Sequence, residues 1–180
     1  MLIIRELLDK DMPQVIQLKA LCWPEELAGL SDNKLNIEKE HLFWVDWMHT
    51  GVENNDVRIL LGAFENDQLL GAAFASYAEE EDSDFGIELN GLWVYPEMRG
   101  RGISLMLMTK VLNYYHNLGR KEIVIYNYHH SSSNSFYRKF GATVFKTGVQ
   151  MAEKIPTDVF KCDMTAMLAA MNKSLSDCNR

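Results

Sequence analysis

The chain has 180 residues, enough to bury one sizeable core, and 47% of them are hydrophobic, an ordinary share for a globular protein. Its 25 acidic and 18 basic residues leave a net charge of −7, which argues against non-specific binding to nucleic acid or to an anionic membrane. No apolar run approaches the ~20 residues of a membrane-spanning helix, and the widely spaced Cys22, Cys162 and Cys178 argue against a disulfide framework and fit a reducing cytoplasm.

Residues 2–7 read as a first strand; the apolar run there is too short for a signal peptide. Asp11-Met-Pro13 opens a helix with Asp11 as its N-cap, and a second helical region is expected over residues 31–48. Residues 57–64 and 68–77 form two strands around Glu65-Asn66-Asp67, a hairpin. The run from Glu79 to Asp84 holds five acids in six positions and reads as a solvated tip between strands. Residues 88–94 form a buried strand interrupted by Gly91, and a glycine inside a strand often marks a bulge.

Residues 103–118 then place Ile103, Leu107, Val111, Tyr114 and Leu118 on one helical stripe, opposite Lys110, Asn113, His116 and Asn117. Gly119 stops that helix. Residues 121–128 are β-branched and aromatic, a strand, and residues 131–140 form a second helical stretch ending at Gly141. Two more strands, over 143–151 and 157–164, flank Lys154-Ile-Pro156, and a short helix spans 165–175. The order predicts one mixed α/β domain over residues 1–180, without repeats or linkers.

The stretch Val94-Tyr-Pro-Glu-Met-Arg-Gly-Arg-Gly-Ile-Ser104 carries the clearest chemistry. It joins a strand to a helix through two glycines and two arginines. Free N–H groups and the positive end of a helix dipole suit a phosphate there, glycine admits close approach, and arginine adds charge-assisted hydrogen bonds. A dinucleotide loop would need a third glycine at position 105, which is Leu, and the nucleotide-hydrolase loop needs a Gly-Lys pair that the chain lacks.

The spacing Arg99-x-x-Gly102-x-Ser104 resembles the Gln/Arg-x-x-Gly-x-Gly/Ala signature of the GCN5-related N-acetyltransferases, the GNAT superfamily, with Ser104 replacing a small apolar residue. Ser135-Phe-Tyr-Arg-Lys-Phe-Gly-Ala142 resembles that family's Leu/Phe-Tyr-x-x-x-Gly-Phe segment, with Ala142 in the final aromatic's place. The resemblance implies a mixed, mostly antiparallel central sheet with a splayed strand pair, flanked by helices. It implies acetyl-CoA as cosubstrate, no metal, and a small-molecule or peptide amine as acceptor; a homodimer is compatible with it. Backbone N–H groups of Arg99, Gly100, Arg101, Gly102, Ile103 and Ser104 would hold the pyrophosphate, with Trp93 and Val94 lining the pantetheine path.

Acetyl transfer needs a proton taken from an amine whose ordinary pKa is ~10.4 and a proton supplied to a departing thiolate. Glu88, eleven residues before Arg99, resembles the catalytic glutamate of histone-type members, and Tyr137 resembles the tyrosine that acts as general acid. Seven residues before Tyr137 the family commonly has a cofactor-contacting Asn; here it is His130, with Asn134 one turn later and Ser133 in a small-residue place. Adjacent His129 and His130, in an extended segment, would point to opposite faces and make a poor metal site; His41 and His49 read as packing or surface residues. The acidic run could also draw in a cationic acceptor. A non-catalytic acyl-CoA-binding module would need the glycine loop but neither Glu88 nor Tyr137. Room near Gly91 and Leu92 would decide between acetyl and longer acyl chains.

Overall fold

The computed structural model describes residues 1–26, 35–150 and 155–178. Seven strands form one sheet in the order β1-β2-β3-β4-β5-β7-β6, with β1 Ile3–Glu6, β2 Ile59–Glu65, β3 Gln68–Tyr77, β4 Gly86–Val94, β5 Glu122–Tyr128, β6 Thr143–Gln150 and β7 Ile155–Asp163. Every neighbouring pair is antiparallel except β4–β5, which is parallel. The helices are α1 Met12–Glu26, α2 Ile37–His49, α3 Ile103–Asn117, α4 Asn134–Lys139 and α5 Met164–Cys178.

The β2–β3 hairpin turns at Asn66 and Asp67, both at positive φ (50° and 62°), as a two-residue turn matched to strand twist requires. One face of the sheet carries α1 and α2: Met12, Ile16, Leu18 and Trp44 pack with Leu60, Phe74 and Trp93. On the other face Leu107, Met108 and Val111 of α3 and Met164, Met167 and Met171 of α5 share a core with Leu61, Ile87, Ile125 and Phe160.

Four local expectations need correction. Asp11 does not cap α1. Both its oxygens accept from the Arg5 guanidinium, at 2.6 and 2.9 Å, and one also accepts from the Leu8 N–H, so it closes a short 3-10 turn instead. The buried stripe of α3 runs through Leu107, Met108, Val111, Leu112 and Tyr115, while Tyr114 and Leu118 are 38% and 49% exposed. Because α3 is covered by both the sheet and α5, the burial centres one position later than the sparse pattern predicted, and the Tyr115 hydroxyl reaches the carbonyls of Val57 and Ala75, both at 2.8 Å. The helix expected over 131–140 is only α4, since Ser131–Ser133 are held in a turn by side-chain hydrogen bonds. Ile155 and Pro156 belong to β7 rather than a connection. The start of the helix expected over 31–48, and Met151 and Lys154 of the expected tail, lie outside the described residues.

Candidate active site

Strands β4 and β5 pair only through Gly86 with Glu122, Ile87 with Ile123 and Glu88 with Val124, then separate. The divergence starts at a bulge. Phe74 of β3 faces Gly91 and Ala75 faces Leu89, so Asn90 is an extra residue in β4. Gly91 is required there because the Trp93 indole lies over it, and a Cβ would sit 2.1 Å from a ring carbon. Between the parted strands opens a cleft of about 540 Å³, lined by β4 from Glu88 to Val94, β5 from Ile125 to Tyr128, and side chains of α1 and α4.

At one end of the cleft stands the glycine loop. Gly100 and Gly102 have φ of 77° and 75°, a left-handed backbone that other residues adopt only at a cost. A Cβ on Gly100 would meet nothing within 4 Å, so the space beside that residue is open. Gly102 is the N-cap of the 15-residue α3, whose first-turn N–H groups have no intrahelical acceptor. Ser104 lines the cleft. This cradle fits a pyrophosphate, by its free donors and its dipole. The two arginines divide. Arg99 turns back to Glu25 at 2.8 Å and to the Val94 carbonyl at 3.4 Å, bracing the loop against α1. Arg101 is half exposed, 3.8 Å from Glu65.

Glu88 and Tyr137 both line the cleft. Burial first, then the charges of Glu79 and Asp82, push the Glu88 carboxyl up to about 7, against a smaller opposing effect of the Asn90 amide 3.2 Å away. Burial, and after it the charge of Glu26, push the Tyr137 hydroxyl well above its ordinary value. The Glu88 carboxyl therefore exchanges its proton near neutrality, while the Tyr137 hydroxyl stays protonated there. Trp93 and Val94 also line the cleft.

The turn after β5 is arranged differently from expectation. His129 and His130 lie in a turn, not an extended segment, with rings 4.6 Å apart. His130 is exposed and stands outside the cleft lining, against Tyr128; His129 pairs with buried Asp158 at 2.8 Å. Asn134 donates to the carbonyls of Tyr128 and His129 and accepts from Asn127, which also donates to Ser133. Asn134 therefore fixes the turn, while Ser133 and Asn127 face the cleft. Among the described residues no group of three or more His, Cys, Asp or Glu gathers to hold a metal ion. His49 meets Asp9 at 2.9 Å on the surface.

The acidic run is not wholly a solvated tip. Glu79, Glu80, Glu81 and Asp84 are exposed, but Asp82 is buried, accepting from the Tyr126 hydroxyl and ion-paired with Lys146. Trp23, an expected wall of an acceptor pocket, lines the cleft; cleft residues that local patterns did not reveal are Lys19, Cys22 and Glu26 of α1 and Asn127 of β5. The alternation Val124-x-Tyr126-x-Tyr128 could have marked one face of β5, but α1 shows no local sign of facing a cleft.

A family model described as "Acetyltransferase (GNAT) family" matches residues 12–142. The chain belongs to that family. No curated protein sequence matches it. Solved acetyltransferase structures with the same fold include the PaiA N-acetyltransferase of Thermoplasma acidophilum in complex with coenzyme A, at TM-score 0.71 and 20% identity over 91% of this chain and 99% of that one. An aminoglycoside 6'-N-acetyltransferase complexed with coenzyme A has TM-score 0.68 and 18% identity, covering 90% and 97%. A phosphinothricin acetyltransferase of Sinorhizobium meliloti, in complex with AcCoA, has TM-score 0.67 and 17% identity, covering 90% and 88%. The GNAT assignment agrees with the splayed strands, the glycine loop and the mixed, mostly antiparallel sheet described above.

Proposed function

We propose that this protein is an N-acetyltransferase that moves an acetyl group from acetyl-CoA to a primary amine of a small molecule or peptide, by direct attack with both substrates bound. The observation that supports the reading is that Tyr137 and Glu88, whose carboxyl burial raises to about 7, line one cleft. The loop from Arg99 to Ser104 would hold the pyrophosphate, and Trp93, Val94 and Ser133 would border the arm that follows it. When bound, acetyl-CoA supplies an activated thioester and a thiolate leaving group.

Glu88, half ionised near neutrality, accepts the proton that an ammonium acceptor must lose before it can attack. Tyr137 lines the same cleft, and its hydroxyl, protonated at neutral pH as in any tyrosine, can donate to a departing sulfur. Burial pushes the Cys22 thiol up, which makes it a poor nucleophile and supports direct transfer over a route through an acyl-cysteine. Free, buried Cys22 and Cys162 agree with a reducing, cytoplasmic setting.

The experiment is release of free thiol from acetyl-CoA across a panel of primary amines, paired with calorimetric titration of coenzyme A. Amine-dependent thiol release establishes the reading. Tight coenzyme A binding with no thiol release for any amine replaces it with a non-catalytic acyl-CoA-binding module.

A further inference from the structure

Besides Glu88 and the Arg99-paired Glu25, the cleft contains a third carboxylate, Glu26, which the proposed chemistry leaves unused. It is the last residue of α1 and half-buried, and it lines the cleft together with Trp93. Two cations lie near it, and each is already committed to another acid. Lys19 Nζ is 2.6 Å from Glu40, and Arg99 is 2.8 Å from Glu25. Among the described residues no ion pair reaches Glu26 itself. The adjoining wall is apolar: Tyr128 and Ile155 pack with Trp23, and all three line the cleft.

Glu26, Glu88 and Tyr137 all line the one cleft. Burial pushes the Glu26 carboxyl up, against the lowering effects of Trp93 and Lys19. A carboxylate left half-buried without its own counter-ion is relieved by a cation entering beside it.

We infer that Glu26 is the acceptor-anchoring carboxylate of this cleft, holding the ammonium of a primary alkylamine whose apolar arm lies against Trp23, Tyr128 and Ile155. The role deepens the acetyl-transfer reading and rests on it for its purpose, but amine binding can be measured without turnover. An alkylammonium with an apolar arm fits this wall better than a polyhydroxylated amine, which would find few hydrogen-bond partners on it.

The test is calorimetric titration of n-hexylamine into the protein saturated with coenzyme A. The expected result is that Glu26→Gln weakens hexylamine binding about tenfold or more, with coenzyme A affinity and circular dichroism unchanged. Glu26→Asp should lose less, and Glu80→Gln, an exposed acid outside the cleft, should lose nothing. Equal hexylamine affinity in the parent and Glu26→Gln overturns the inference, as does an equal loss in Glu80→Gln or no binding by the parent. If hexylamine binds through Glu26 but no amine releases thiol from acetyl-CoA, the anchoring site stands and the transfer reading fails.

Discussion

Glu88 gives the sharpest predictions at the scale of single residues. Its carboxyl is raised to about 7 mainly by burial, so as a base it works only once deprotonated, and turnover should rise as pH passes through about 7. Glu88→Gln should abolish that limb and lower turnover at neutral pH while leaving coenzyme A affinity intact; a pH profile parallel to the parent's would assign the base elsewhere. Stability should respond in the opposite sense. A carboxyl whose folded pKa is raised favours the native state fully below its ordinary value of 4.5, and that contribution is lost as pH rises through about 7. The difference is worth about 3 kcal/mol at 1.36 kcal/mol per unit. Chemical denaturation of Glu88→Gln between pH 5 and 8 should therefore vary less with pH than the parent's.

Tyr137 allows a cleaner separation of roles. Tyr137→Phe keeps the buried ring against Phe160 and removes one hydroxyl. If that hydroxyl supplies the proton, turnover should fall ~10²- to 10⁴-fold with little change in coenzyme A affinity; a loss confined to affinity would make it an anchor only. That Glu88 and Tyr137 belong to the cleft was legible in the sequence because each stands at a fixed offset from a recognisable segment, Arg99 to Ser104 or Phe136 to Gly141. Glu26 and Asn127 were not. Their facing depends on how α1 crosses the sheet and on where β5 leaves β4, neither of which leaves a local pattern.

At the scale of elements, the loop from Val94 to Ser104 was readable because its glycines are demanded by backbone geometry. Gly100 and Gly102 both adopt the left-handed conformation, and Gly102 caps the start of α3. Gly102→Asp places a strained backbone and a negative charge beside the expected phosphates. Its coenzyme A affinity should fall by more than about tenfold, or 1.4 kcal/mol, in titration of a variant whose fold is confirmed by circular dichroism; unchanged affinity would remove the loop from the binding site. Arg99 shows where motif reading stops. Its position in the signature was clear, but its pairing with Glu25 is a contact between residues 74 positions apart. The phase of α3 was misjudged for a similar reason, because α5 covers a stripe that the sheet alone would leave open. The short α4 was overestimated because Ser131, Ser133 and Asn134 spend their hydrogen bonds on a turn.

For the whole molecule, the cleft creates a structural problem that the acidic loop solves. Only three residue pairs join β4 to β5, so the β1–β4 part of the sheet and the β5–β7–β6 part are weakly stitched by backbone bonds. Side chains of the loop before β4 supply the missing ties. Asp82 accepts from Tyr126 of β5 and pairs with Lys146 of β6, while its carbonyl accepts from Lys161 of β7 at 2.5 Å. Ser83 donates to Glu122 of β5 at 2.6 Å, and the Lys121 N–H donates to the Phe85 carbonyl at 2.9 Å. Burial would raise the Asp82 carboxyl, but hydrogen bonds from Lys146 and Tyr126 outweigh it and hold the group below its ordinary range. Its stabilising contribution is therefore present above the ordinary value of 3.8 and lost as pH falls through the lowered one. Asp82→Ala should cost roughly 2 kcal/mol near neutrality, from lost charge-assisted hydrogen bonds. If the same ties set how far β4 and β5 part, the variant should also bind coenzyme A more weakly, although Asp82 does not line the cleft. Denaturant midpoints and coenzyme A titrations of Asp82→Ala and Ser83→Ala would check the coupling. Stability lost with affinity fully kept in both variants would show that the loop braces the sheet without shaping the cleft.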